Sequence, residues 1–152
     1  MKIDYILNRD YMQDPAFKNI DFERADFNDF VYGDIFIGKI SFNNGVSDLG
    51  AGSDTTPLLD FASEMYVMSK KIELAGHLEY EFAESSAYIY FDEIDGKLVI
   101  STNYTKDKIV IDRKEFVKIS KAFLEKIIND FLKIRPEAKS NEYIKGLMRD
   151  IE

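Results

Sequence analysis

From Leu78 to Ile111 apolar and polar residues alternate, and the alternation survives every turn that interrupts it. Asp95-Gly96 is a two-residue turn of the kind that needs positive φ at both central positions. A hairpin centred there sets Phe91 opposite Ile100 and Ile89 opposite Thr102. A four-residue loop at 83–86 sets Phe82 opposite Ala87 and Tyr80 opposite Ile89, and another at 105–108 sets Tyr104 opposite Ile109. All three turns give the same apolar face: Leu78, Tyr80, Phe82, Ile89, Phe91, Leu98, Ile100, Ile109 and Ile111. Because a slip of one residue would turn every side chain over, this agreement specifies a four-stranded antiparallel meander.

One apolar sheet face needs a cover, and the flanking segments change period to supply it. Leu58, Phe61, Ala62, Met65, Met68 and Ile72 recur at helical spacing, with Thr56 as cap, Pro57 at the first helical position and Gly76 as terminator. Phe116, Ile119, Phe123, Ile127, Phe131 and Ile134 form the stripe of a second helix over 113–135, started by Asp112 and Glu115 and ended by Pro136. A short helix over Asn141–Ile151, capped by Ser140, is weakened at Gly146 by about 1 kcal/mol relative to alanine. Ahead of these lie a strand at Lys2–Leu7 and another at Asp34–Phe42, with Gly38 a weak point in it, and then a flexible connector over 43–56. The expected fold is a single α+β domain over residues 1–152, long enough to bury its own core. In it an antiparallel sheet, the 78–111 meander plus one or two N-terminal strands, packs against helices 57–75 and 113–135 and is followed by a short C-terminal helix.

The residues leave little room for catalysis. The chain has no cysteine, so thiolate chemistry and cysteine-held metals are excluded, and its single histidine, His77, has no nucleophile near it in sequence. Glu79 and Glu81 share a strand face, but an outward-facing strand produces the same alternation. The loop LGAGSDTTPLL runs into a helix without the Lys-Ser/Thr pair of a phosphate-binding loop, and Asp48 and Asp54 do not follow a calcium-loop pattern. No enzyme activity, cofactor or metal is therefore expected. Met1–Asp10 is charged and lacks the apolar stretch of a signal peptide, and no apolar run is long enough to span a bilayer. A cytoplasmic location away from membranes is the expectation.

The formal net charge is −8, which argues against direct binding of nucleic acid. Residues 1–64 hold five basic and twelve acidic side chains, whereas residues 106–152 hold twelve basic and nine acidic ones. An acidic N-terminal part attracts basic partners and speeds their encounter. Two segments concentrate acids among aromatics. In DFERADFNDFVYGD, residues 21–34, Asp21, Glu23, Asp26 and Asp29 alternate with Phe22, Phe27 and Phe30. On the meander, the face opposite the core carries Glu79, Glu81, Tyr88, Tyr90 and Asp92. Tyrosine offers a large contact area at little entropic cost. Both segments also have a plainer reading, as core phenylalanines with solvated acids and as a strand face shielded by the N-terminal segment.

The order of an acidic N-terminal region, the helix PLLDFASEMYVMSKKI, the strands EYEFAESSAYIYFDEIDGKLVISTNY and the long helix RKEFVKISKAFLEKIINDFL resembles the small immunity proteins of bacterial polymorphic toxin and contact-dependent growth inhibition systems. The likeness spans about residues 30–135 and rests on layout. It implies a protein that binds a cognate toxin domain in the cytoplasm and occludes its active site or substrate access. Many such toxins are nucleases with basic clefts, which would match the acidic surface. The expected toxin-binding residues are Asp21, Glu23, Asp26, Asp29, Glu79, Glu81, Tyr88 and Tyr90. Three other readings stay open: an enzyme working through carboxylates alone, a small-ligand module with an apolar cavity, and an adaptor or structural subunit.

Overall fold

The computed structural model describes residues 1–33, 35–50, 53–83 and 85–152. Strands and α-helices follow in the order β1 (Lys2–Leu7), α1 (Pro15–Lys18), α2 (Phe27–Tyr32), β2 (Ile37–Asn43), β3 (Thr56–Pro57), α3 (Leu58–Ala75), β4 (His77–Glu81), β5 (Tyr88–Ile94), β6 (Lys97–Thr102), β7 (Ile109–Asp112), α4 (Arg113–Ile134) and α5 (Glu142–Asp150). The α+β class, the antiparallel meander β4-β5-β6-β7, its two covering helices and the short C-terminal helix are as expected. The N-terminal strands pair with one another instead of extending the meander, in a second antiparallel sheet ordered β1-β2-β3.

Two of the three expected registers hold. Phe91 faces Ile100, Ile89 faces Thr102 and Tyr80 faces Ile89, around a turn in which Asp95 and Gly96 both take positive φ. The third differs: Ile109 pairs with Ile100, not with Tyr104. Strand β6 stops early because side chains capture its backbone continuation. The Asn103 amide bonds Tyr88 N–H and the Ser86 carbonyl, and the Thr102 hydroxyl accepts from Thr105 N–H. The displacement is four residues, an even number, so the side chains stay on the same face and the apolar set remains correct.

α4 is the spine on which both sheets rest. Near its start Phe116 lies 6.1 Å from Phe42 of β2 and 5.7 Å from Phe91 of β5. Two turns on, Phe123 meets Tyr5 of β1 and Phe61 of α3, and near its end Phe131 meets Phe22, Phe30 and Phe36. All three α4 phenylalanines are buried, each stabilising the fold by roughly 2–3 kcal/mol. Asp112 caps α4 by accepting from Lys114 N–H and Glu115 N–H.

Four local expectations need correction. Thr56 and Pro57 do not open α3; they form β3 against Gly38 and Ile37, and α3 begins at Leu58 with no side-chain cap. Gly38 is a requirement of the sheet, not a weakness, because a Cβ there would lie 2.3 Å from the Ile6 carbonyl oxygen of β1. The 43–50 half of the connector is pinned, with Leu49 buried, the Tyr104 hydroxyl bonded to its carbonyl, and Asp48 accepting from Phe42 N–H and Gly50 N–H. The cap of α5 is Asn141, one residue after Ser140. Asp34, Ala51, Gly52 and Glu84, on which parts of the expected strand, connector and turn fall, lie outside the described residues. Among the described residues no helix is long and apolar enough to cross a membrane.

Candidate binding site

Strands β4 and β5 present their polar residues on the side away from the helices, and the register sets them in cross-strand pairs: His77 with Asp92, Glu79 with Tyr90, Glu81 with Tyr88. Among the described residues no element covers this face. His77, Glu79 and Glu81 are exposed and Tyr88, Tyr90 and Asp92 half-exposed, so the open alternative for the tyrosine face is the one the structure adopts. The tyrosine rings stack in parallel at 6.1 Å, and His77 continues the stack over Tyr90 at 6.2 Å. His77 sits between two carboxylates, Nε2 at 3.0 Å from Glu79 and Nδ1 at 2.7 Å from Asp92. These bonds raise its pKa above the ordinary imidazole value, and a bond to Glu81 does the same for the Tyr88 hydroxyl.

Around the edge of β4 this face continues into an open groove of about 410 Å³ bounded by α2, α3 and β4. Glu79 and Glu81 border it on one side, and Asp60 and Glu64, one turn apart on α3, on the other. Phe27 and Tyr32 of α2 stand at its rim, 53% and 71% exposed. Asp60 is half-buried, and burial, reinforced by the charge of Glu64, pushes its carboxyl up to about 6. Among the described residues no lysine or arginine pairs with Asp60, Glu64, Glu79, Glu81 or Asp92. Nor do three or more histidine or acidic side chains there stand close enough to hold a metal ion.

The N-terminal acids stand elsewhere. Asp26 and Asp29 cap α2 reciprocally, each side chain accepting from the other's N–H at 3.1 and 2.9 Å. Asp21 accepts from Glu23 N–H and pairs with Arg24 at 3.6 Å, while Glu23 is exposed. Asp21 and Asp29 border a separate hollow of about 370 Å³ with Arg24. Within the same stretch Phe22 and Phe30 are core anchors and Phe27 is not. Of the expected contact residues, then, Glu79, Glu81, Tyr88 and Tyr90 form one surface, and the four N-terminal acids have local partners or lie apart.

Sequence reasoning missed Asp60, Glu64, Phe27, Tyr32 and His77 as members of this surface. One signal was present: Asp60 and Glu64 are like charges at i, i+4 on a helix, an arrangement that opposes helix formation and here has no lysine at i±4 to relieve it. Comparisons with protein-family models, with curated proteins and with solved structures find no match to this chain.

Proposed function

We propose that this protein is an immunity protein, which binds a cognate toxin domain with a basic cleft, such as a nuclease, and occludes its active site or substrate access. The observation that carries the reading is the set of five carboxylates, Asp60, Glu64, Glu79, Glu81 and Asp92, that run from the groove onto the β4–β5 face with no lysine or arginine partner among the described residues. A surface that gathers this much like charge, met within the site only by His77 between Glu79 and Asp92, lowers the stability of the free protein and recovers it when a basic partner arrives. The exposed rings of Phe27, Tyr32, Tyr88 and Tyr90 supply the apolar area that slows dissociation. The protein acts stoichiometrically, in the cytoplasm, where the toxin meets its substrate.

The test is to co-express this chain with the product of each adjoining reading frame that carries a toxin domain, and to measure binding kinetics on the purified pair. Protection of growth and a stable complex are expected. Glu79→Lys with Glu81→Lys should slow association about tenfold or more at low salt and much less at high salt. Absence of both binding and protection would sink the reading.

A further inference from the structure

The groove holds one polar group that neither the fold nor the general acidity of the surface explains. Tyr80 points to the core side of β4, its ring set edge-on to Phe61 at 5.2 Å and to Phe82 at 5.1 Å. It is only 4% exposed, and that exposure is to the groove. Its hydroxyl has no hydrogen-bond partner among the described residues, although Asp60 and Glu64 are near enough for their charges to raise its pKa further after burial has done so. The hydroxyl reaches solvent only through the groove, so a donor or acceptor docked there is the protein-side partner it lacks, and the half-buried Asp60 carboxylate beside Glu64 is costly to keep ionised. Both groups line the same groove.

We propose that this groove is a receptor for one arginine side chain of a basic protein partner, with the Tyr80 hydroxyl and the Asp60 and Glu64 carboxylates at its floor and the Phe27 and Tyr32 rings at its rim. The inference rests on the reading of this surface as a protein-docking site and names what docks there. A guanidinium carries five N–H donors in a flat fork, matching acceptors that come from different elements, α3 on one side and β4 on the other. Its faces stack on aromatic rings, and it is weakly hydrated enough to enter a half-buried site. An ammonium has neither property. A divalent cation would need several oxygens converging at short range, and no such group is formed among the described residues.

The experiment is an NMR titration of the folded chain with three peptides, acetyl-Gly-Arg-Gly-amide, its citrulline counterpart, which is neutral but the same shape, and its lysine counterpart. The arginine peptide should shift the Tyr80, Phe27 and Asp60 signals saturably in the ~1–10 mM range. The citrulline peptide should not, and the lysine peptide should bind at least ~5-fold more weakly. Tyr80→Phe keeps the ring and its packing and should weaken the arginine peptide roughly 3- to 10-fold, and Asp60→Asn about tenfold. Failure to saturate by about 50 mM, equal shifts from citrulline or lysine, or unaltered binding in both variants would overturn the proposal. Saturable arginine binding in a protein that does not protect against the toxin would support this pocket and refute the toxin reading alone. Protection without any arginine response would do the reverse.

Discussion

Asp60 carries a charge that no lysine or arginine among the described residues pairs with, and the consequence for stability has a definite sign. Its carboxyl is pushed up to about 6, above its value in an unfolded chain, so the folded state holds the proton more tightly. The resulting stabilisation is complete below about pH 4 and is lost as pH rises through about 6, which leaves the ionised side chain working against the fold at neutral pH. Asp60→Asn should therefore raise stability by about 1 kcal/mol near pH 7.5, allowing for its partial exposure, and should change little near pH 4. Denaturant melts at the two pH values measure this, and an equal effect at both would show that the charge is not responsible. A charge that opposes folding is what the docking role proposed for this groove requires of Asp60. Its place beside Glu79 and Glu81 was not legible in the sequence, since residues nineteen positions apart on a helix and a strand meet through tertiary packing such as that of Phe61 on Tyr80. The alternation that put Glu79, Glu81, Tyr88 and Tyr90 on one face was legible, because it depends only on the pleat and on the length of the turn between the two strands.

Elements show where local signals compete. Asn141 and Ser140 are both good caps by type, and tertiary context chooses between them. The Asn141 side chain accepts from Tyr143 N–H and Ile144 N–H while its amide nitrogen donates to the carbonyls of Phe22 at 3.0 Å and of Ala25. No reading of 140–151 in isolation could have found the second set of bonds, 116 and 119 residues distant. Asn141→Ala removes a cap and orphans two buried carbonyls, and should cost about 2–3 kcal/mol. Hydrogen exchange should show residues 21–26 loosening with α5, and loosening of α5 alone would contradict the account. The register of β7 was illegible for a related reason: Asn103 looks like a strand residue until its side chain is seen bonding Ser86 and Tyr88.

At the scale of the molecule, α4 makes the two sheets one cooperative unit. Phe123 touches Tyr5 on one side and Phe61, which supports the meander, on the other. The β1–β2 pair and the β5–β6 pair should lose amide protection at the same denaturant concentration, and Phe123→Ala should destabilise both together by about 3–5 kcal/mol. Two separate transitions would show that the sheets fold independently. The Asn141 bonds also carry a consequence for the order in which a growing chain becomes competent. A nascent polypeptide that has left the ribosome as far as β7 carries all four meander strands but not α4, whose Phe116 covers Phe91. The wall made by α2 waits longer still, because Phe30 rests on Phe131 and Tyr143, and Phe22 on Phe131 and Asn141. The groove is thus completed by residues translated about a hundred positions or more after those that form its rim. Until they emerge the groove lacks its α2 wall, so the docking proposed for it would begin only after α5 has been made.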